Sequence, residues 1–193
     1  MAQKIKHQLI QKALNGDAGA FGEIYLTLRG SIYGFAYRML RETSLAEDVT
    51  QEAFMFLLNN PHRFDSERGE LLPFLCGVAR IKIVQHLRKH STKFEFYEED
   101  LTKFDELDSF ARNPLEILLN EELSEKIEKI IDNLPPVQRE VLILREIENL
   151  TYAEIAEITD TELGQVKIRL HRARKSLANE LRPIFGGWKR KEL

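Results

Sequence analysis

The sequence predicts an all-α protein made of two small helical domains joined by an acidic flexible linker, the second domain containing a helix-turn-helix. Apolar residues recur at helical spacing along most of the chain, and Gly and Pro are few, at 10 and 6 of 193 residues. One stretch without a clean period, residues 91–113, holds seven acids against three bases and separates the two periodic regions.

Helix start signals and periodicity together place the individual elements. Ser44–Glu47 and Thr151–Glu154 have the form of a capping box, and Asn113–Pro114 offers an N-cap followed by proline at the first helical position. Helices are predicted at about 4–15, 17–41, 44–59, 72–90, 114–133, 136–148, 152–159 and 162–182. The domains are expected at 1–90 and 114–182, with a linker at 91–113 and a C-terminal tail at 183–193.

Charge is unevenly distributed, although the net charge is only −3. Residues 78–93 hold five bases and no acid, residues 94–148 hold sixteen acids and six bases, and residues 163–191 hold nine bases and one acid. Two cationic segments therefore flank one anionic segment. Because nucleic-acid affinity depends on local charge facing the phosphates, an acidic chain of this kind still suits DNA binding.

Several functional classes have no support in the sequence. The single cysteine, Cys76, lies among apolar residues and excludes an internal disulfide framework. His86 and His90 have a spacing that suits a metal but lack an evident third ligand, and no P-loop or nucleophile elbow occurs, so we predict no metal, no cofactor and no enzyme. No run approaches the roughly 20 apolar residues of a membrane span, and we expect a cytoplasmic protein.

The segment 152–182 has the pattern of a helix-turn-helix. In its second helix, apolar residues step by three and four to form one stripe: Leu163, Val166, Leu170, Ala173 and Leu177. The opposite side carries Gly164, Gln165, Ile168, Arg172 and Lys175, with Arg169 and His171 on the flanks. In a major groove Ile168 could contact a thymine methyl, while Lys167 and Arg172 contact guanine edges and phosphates. A solvated basic helix that only caps a bundle is the alternative.

The first domain carries two further surfaces. The segment VARIKIVQHLRKH of the helix over 72–90 has a basic side. The stretch HRFDSERGELLPFL before that segment combines Arg63 and Arg68 with Phe64 and Phe74, an arrangement that suits stacking of unpaired bases unless the rings belong to the core. The helix over 44–59 has an acidic side instead. That side cannot face DNA, so it is expected either to meet a basic protein partner or to be a solvated helix start favoured by the helix dipole.

Three segments carry a resemblance to a known family: AEDVTQEAF, FDSERGELLPFLCGVAR, and LPPVQREVLILREIENLTYAEIAEI followed by VKIRLHRAR. Taken together, they resemble the bacterial extracytoplasmic-function sigma factors of RNA polymerase. The resemblance runs in order over about residues 8–182. It implies a non-enzymatic subunit whose first domain binds the polymerase clamp and melts the −10 promoter element. The second domain would bind the polymerase flap and read the −35 element.

Carried onto matching positions, the resemblance assigns three sets of residues. Clamp contacts fall on Glu47, Asp48, Gln51, Glu52 and Phe54. Contacts to −10 DNA fall on Arg63, Arg68, Arg80, Lys82, Gln85, Arg88 and Lys89. Contacts to −35 DNA fall on Lys167, Ile168, His171 and Arg172, supported by Arg169 and Lys175. The family also implies an anti-sigma partner, which nothing in this sequence identifies.

The chain departs from the family at positions that bear on DNA recognition. Pro73–Phe74 stands where Trp is usual, Ile81 where Asn is common, and Ile168 where a small polar residue is frequent. Asp160 replaces the usual Gly of the turn, and Asp tolerates a left-handed backbone conformation better than most residues. Thr159 and Thr161 replace apolar residues, and Thr161 is expected to cap the second helix. The alternative function is a stand-alone helix-turn-helix regulator, which leaves the acidic helix unexplained.

Overall fold

The structure, a computed structural model, describes residues 5–90 and 121–182. Its helices are α1 (His7–Leu14), α2 (Ala18–Leu40), α3 (Thr43–Asn59), α4 (Leu71–His90), α5 (Glu121–Asn133), α6 (Pro136–Leu142), α7 (Tyr152–Thr159) and α8 (Leu163–Leu181). A 3₁₀ turn spans Pro61–Arg63, and a π-helical turn, Ile143–Ile147, continues α6. The all-α prediction is confirmed over these ranges. The predicted linker, the Asn113–Pro114 cap and the tail lie outside the described residues.

Helix α2 is the central helix of the first half and packs against α1, α3 and α4. Its residues Ile24, Leu28, Ile32 and Phe35 are buried at steps of four, four and three, which places them on one face. Asp17 caps the helix by accepting a hydrogen bond of 3.0 Å from the Ala20 N–H. This buried face organises the four-helix core that carries the first set of candidate surfaces.

The second half is built around α8, which packs against α5, α6 and α7. Pro136 occupies the first turn of α6, where its missing N–H leaves no bond unmade. Val141 and Ile155 are buried against the apolar side of α8, and α7 and α8 form the predicted helix-turn-helix. The predicted single helix over 136–148 is instead α6 with its π turn.

One predicted capping box is present and the other is wrong. Thr151 accepts from the Glu154 N–H at 3.3 Å, and Glu154 accepts from the Thr151 N–H at 2.7 Å. At the start of α3 the N-cap is Glu42, and Ser44 lies inside the first turn, where its hydroxyl donates to Glu42 Oε1. The Ser44–Glu47 pattern therefore lies within the first turn of α3, and the helix starts before it.

We expect Thr151→Ala to lower the free energy of unfolding by about 1 kcal/mol, because it removes the side chain that satisfies an orphan N–H of α7. Chemical denaturation monitored by circular dichroism measures this. Ser44→Ala is the matched control, since Ser44 is not a cap. An equal loss in both variants would contradict the assignment of the caps.

The turn between α7 and α8 depends on Asp160, which adopts the left-handed conformation at φ 52° and ψ 50°. Thr159 is buried, and its hydroxyl is satisfied by Ile155 O at 2.7 Å and by Thr161 Oγ1 at 2.8 Å. Thr161 therefore pairs with Thr159 and does not cap α8, whose N-cap is Glu162. The hydroxyls of Thr159 and Thr161 therefore partner each other within the turn.

The two halves pack directly against each other. Helix α4 contacts α7, and α2 contacts both α6 and the π turn. Buried apolar residues of both halves form one continuous cluster. The two sets of candidate surfaces are therefore held in a fixed relation in this conformation.

Candidate nucleic-acid and partner interfaces

Helix α8 exposes one basic side, as its periodicity predicts. Val166, Leu170, Ala173 and Leu177 are buried in the second half. Leu163 was predicted to belong to this apolar stripe, but it is 42% exposed because it lies at the first residue of the helix, beyond the reach of the neighbouring helices. The buried stripe consequently begins at Val166.

The residues predicted to contact −35 DNA do not all reach the surface. Lys167 and Lys175 are exposed, and Ile168, His171 and Arg172 are half-buried on the outward side. Arg169 is only 8% exposed. It follows Val166 by three residues and precedes Ala173 by four, so it lies within the buried stripe, and its placement at the DNA surface is not supported in this conformation. The spacing of Arg169 from Val166 and Ala173 indicates its burial, but the sequence prediction missed it because only apolar residues were assigned to the stripe.

The basic surface of α4 includes exposed residues as well as residues in ion pairs. Gln85, Arg88 and Lys89 are exposed toward the C-terminal end of the helix. Arg80 donates from Nε to Glu140 Oε1 at 2.8 Å, and Lys82 Nζ lies 2.8 Å from Glu52 Oε2. Arg80 and Lys82, both predicted to contact −10 DNA, therefore have carboxylate partners in this structure.

The loop before α4 and the first turn of α4 present cations at the surface and aromatic rings to the core. Arg63 and Arg68 are exposed, with Arg68 Nε 3.7 Å from Asp65 Oδ2. Phe64 is buried, and its ring centroid lies 5.2 Å from that of the half-buried Phe74. The core interpretation is correct for Phe64, which leaves no ring face for a base. Of these two rings, that of Phe74 is the one that remains available to stack against a base.

The acidic side of α3 is an open surface. Glu47, Asp48, Gln51 and Glu52 are all exposed, which suits direct contact with a cationic partner, and Glu52 is the one that also pairs with Lys82 of α4. Phe54, predicted to contact the polymerase with them, is only 2% exposed. Its ring packs edge-on against Tyr25 at a centroid distance of 4.9 Å. Phe54 is therefore a core residue that holds α3 on α2.

Two carboxylates of the second half are buried against the first, and neither was singled out from the sequence. Burial raises the pKa of Glu140 although the charges of Arg80 and Arg169 lower it. Burial also raises the pKa of Glu148, against a hydrogen bond from Ser31 and the charge of Arg38. Their partners are many residues away in sequence, so the periodicity of the sequence does not predict these contacts.

The raised pKa of Glu148 predicts a pH-dependent effect of Glu148→Gln. The Glu148 carboxyl binds its proton more tightly in the folded chain than in the unfolded chain. The free energy of unfolding therefore falls as the pH rises from the ordinary pKa of Glu toward the higher pKa of folded Glu148. We expect the variant to gain stability relative to the parent between pH 4 and pH 7, about 4.3 being the ordinary pKa of Glu. Urea unfolding at both pH values measures the difference. A relative loss at the higher pH would contradict the assigned shift.

Two negative findings apply to residues 5–90 and 121–182. No helix in these ranges is long and apolar enough to cross a membrane. Within the same part of the chain, no three His, Cys, Asp or Glu side chains are grouped so that they could hold a metal ion.

Comparison with known proteins identifies the class to which this arrangement belongs. A family model described as Sigma-70 region 2 matches residues 24–92, and one described as Sigma-70, region 4 matches residues 124–177. The first match covers α3 and α4 with their acidic and basic surfaces, and the second covers the helix-turn-helix. The molecule is therefore a two-region sigma-70-type transcription factor.

Relatives narrow this class to one family. The ECF RNA polymerase sigma factor SigW of Bacillus subtilis (strain 168) is 32% identical over 182 residues, which cover 91% of this chain and 96% of SigW. The ECF RNA polymerase sigma-E factor of Escherichia coli (strain K12) is 28% identical over 194 residues, covering 96% of this chain and 99% of the relative. The chain belongs to the ECF sigma factors of RNA polymerase and acts in transcription initiation.

Two solved structures share the fold. The sigma factor RpoE, in complex with the anti-sigma factor NepR from Bartonella quintana, matches with a TM-score of 0.62 and 21% identity, over 84% of this chain and 96% of that one. CnrH, in complex with the cytosolic domain of CnrY, matches with a TM-score of 0.65 and 20% identity, over 91% and 96%. The helical architecture is therefore shared with the sigma factor RpoE and with CnrH.

Proposed function

We propose that this chain directs core RNA polymerase to promoters through three separate surfaces. The acidic surface of α3 binds the polymerase clamp, the basic surface of α4 with its preceding loop captures the melted −10 strand, and α8 reads the −35 duplex. The second half also binds the polymerase flap. In this scheme the chain is a non-enzymatic, cytoplasmic subunit, and the polymerase supplies the chemistry.

The observation that carries the proposal is the separation of opposite charges onto different exposed helix faces. Glu47 and Asp48 are exposed on α3, whereas Arg88 and Lys89 are exposed on α4 and Lys167 and Lys175 on α8. A DNA-binding regulator acting alone needs the cations but has no use for an exposed acidic face of this kind. A subunit that joins a protein to DNA needs both.

Within α8, Lys167 and Arg172 are suited to different tasks. An exposed lysine on a flexible stem suits phosphate contact, whereas arginine suits a bidentate contact to guanine. Ile168 is half-buried at the centre of the outward side and offers an apolar contact to a thymine methyl. The −35 preference of this chain should therefore differ from that of relatives with a small polar residue there.

On α4, Ile81 is an apolar residue at a position where the family commonly has Asn, and it is 57% exposed. An exposed apolar side chain beside cations can contact an unpaired base but cannot form the hydrogen bonds of an amide. We infer a relaxed base preference near −10, with affinity supplied by Arg63, Arg68, Arg88 and Lys89.

An anti-sigma partner is also part of the proposal. RpoE and CnrH, which share the fold, were solved in complexes with NepR and CnrY respectively. An inhibitor that covers the exposed acidic α3 surface or the basic faces would prevent assembly with polymerase. Affinity purification from the native bacterium, followed by mass spectrometry, tests for such a partner.

In vitro transcription from a randomised promoter library, with and without the chain, tests the proposed function. With core polymerase present, the chain should select a discrete promoter sequence and permit specific initiation. Tight duplex binding by the isolated chain, with no effect on initiation by core polymerase, would instead identify a stand-alone helix-turn-helix regulator.

A further inference from the structure

Helix α1 lies against the loop that precedes α4. Gln11 Nε2 of α1 donates a hydrogen bond of 2.8 Å to Ser66 Oγ, 55 residues further along the chain. Helix α1 also lies outside residues 24–92, the part of the chain that matches Sigma-70 region 2. The hydrogen bond therefore places an additional helix beside the loop that is proposed to capture the −10 strand.

Packing and the turn that follows it fix α1 in this position. Ile10 and Ala13 are buried in the core of the first half. The turn into α2 is closed by a hydrogen bond of 3.0 Å from the Asp17 N–H to Lys12 O. Gly16 within this turn has φ 92°, a left-handed conformation that glycine adopts without strain. The outward side of α1 therefore points in a defined direction.

The outward side of α1 carries hydrogen-bond donors and positive charge. Gln8 and Gln11 are exposed and lie three residues apart, which places their carboxamides on one face of the helix. Lys12 and Lys6, the residue just before the helix, are exposed as well. Residues 1–16 hold three lysines and no acid. Ammonium and amide N–H groups both donate to phosphate and sugar oxygens, so this face suits a nucleic-acid strand.

The loop by itself has too little positive charge to attract a phosphate backbone. Residues 63–70 contain two arginines against three acids, so their net charge is −1. One of the arginines, Arg68, has its Nε 3.7 Å from Asp65 Oδ2. Lys89, an exposed cation of α4, lies roughly 27 Å from Leu71 along the helix axis, at a rise of about 1.5 Å per residue. Helix α1, which contacts the loop directly, supplies the positive charge that the loop lacks.

A protein partner fits this face less well than DNA does. Protein interfaces are centred on buried aromatic or other apolar anchors, and charged residues are depleted there. The exposed residues of α1 are all polar, namely His7, Gln8, Gln11 and Lys12. The apolar residues of the helix are buried or half-buried instead. The composition of the exposed side therefore favours a phosphate backbone over an apolar protein surface.

We propose that α1 is a further DNA-binding element, in which Lys6 and Lys12 contact phosphates of the melted strand beside the segment that the loop captures. The hydrogen bond between Gln11 and Ser66 holds α1 and the loop together as one surface. This inference rests on the proposed function, because it requires the loop before α4 to bind the melted −10 strand.

A full-length variant that combines Lys6→Gln with Lys12→Gln tests these contacts. The probe is a labelled fork-junction DNA, single-stranded over the −10 region, that carries a promoter selected by the parent chain with core polymerase. In complex with core polymerase, the double variant should bind the fork more weakly at low salt. The slope of log K against log salt concentration should be shallower by about 1.4, because each phosphate contact to a single strand contributes about 0.7. Fluorescence anisotropy at several salt concentrations gives the slope.

The matched control combines Lys126→Gln with Lys129→Gln, which makes the same charge change at exposed lysines of α5. It should bind the fork with the affinity and slope of the parent. All three chains should bind alike to a duplex that ends upstream of the −10 element. An unchanged slope in the α1 variant would overturn the inference. Weaker binding of that variant to core polymerase without DNA would identify α1 as a protein contact and overturn it as well.

Lys12→Cys allows the position of the strand to be mapped directly. Cys76 is the only cysteine of the parent chain and is fully buried, so a thiol-reactive iron chelate attaches to the introduced thiol. In the open complex, radicals formed at the iron should cleave the melted strand next to the −10 element. Lys126→Cys, carrying the same chelate on α5, should leave that part of the strand uncut. Absence of cleavage there by the Lys12→Cys conjugate would overturn the placement of α1.

Failure of the proposed function has a different signature. The parent chain with core polymerase would then give no promoter-specific initiation, and both the function and the role of α1 would be rejected. Specific initiation by the parent, with equal salt slopes in the parent and the α1 variant, would reject the role of α1 alone.

Discussion

Arg172→Ala should reduce −35-dependent initiation about tenfold or more, since a bidentate contact of arginine to a base contributes roughly 1–3 kcal/mol. Arg172 lies on the outward side of α8, and the buried stripe of that helix does not include it. The measurement is the yield of specific transcripts from a selected promoter at saturating core polymerase. Truncation at this position should leave the helix itself intact.

Arg182→Ala is the matched control for Arg172→Ala, because Arg182 is exposed but lies beyond the end of α8. It should retain most of the parent activity. Binding of core polymerase, measured separately, should be unchanged in both variants. If Arg172→Ala instead abolished binding to core polymerase, its assignment to the −35 element would be wrong.

Asp48→Lys should weaken binding to core polymerase about 100-fold, because a like charge placed against a cationic partner costs several kcal/mol. Asp48 is exposed on α3, whereas Val49 beside it is buried in the core. The substitution therefore changes the surface without disturbing the packing. Fluorescence anisotropy of the labelled chain, titrated with core polymerase, gives the affinity.

Glu180→Lys serves as the control for this charge reversal, since Glu180 is exposed near the end of α8, in the other half of the molecule. It should bind core polymerase as the parent does. A tight complex with Asp48→Lys that still initiates specifically would show that the acidic surface of α3 is only a solvated helix face. That was the alternative interpretation of its composition.

Much of the fold followed from local patterns. The periodicity of apolar residues placed the helices of residues 5–90 and 121–182 within a few residues of their bounds, except at the predicted start of the helix over 114–133, which lies outside the described residues. The pattern Thr151–Glu154 gave a correct cap, whereas Ser44–Glu47 did not. A cap pattern marks a helix start only where the residue at the N-cap position has a non-helical backbone. In α3 that residue is Glu42, two residues before Ser44.

The candidate surfaces were predicted in outline but not residue by residue. The acidic side of α3 and the cationic side of α8 follow from spacing, since side chains on one helix face recur every three or four residues. Phe54 and Arg169 were assigned to those surfaces, but both are buried, Phe54 against Tyr25. The spacing of Arg169 from Val166 and Ala173 already indicates its burial, whereas the contact of Phe54 with Tyr25 depends on the packing of α3 against α2, which periodicity does not identify.

By itself, the sequence determined the helical class of this protein, the position of its helix-turn-helix and the separation of its acidic and basic segments. Each of these features depends on residues that are near one another along the chain. Only the tertiary structure decided that Glu140 meets Arg80, sixty residues earlier in the sequence. Charges attract without regard to position in the chain, so which carboxylate meets which arginine is fixed by the packing of helices that brings them together.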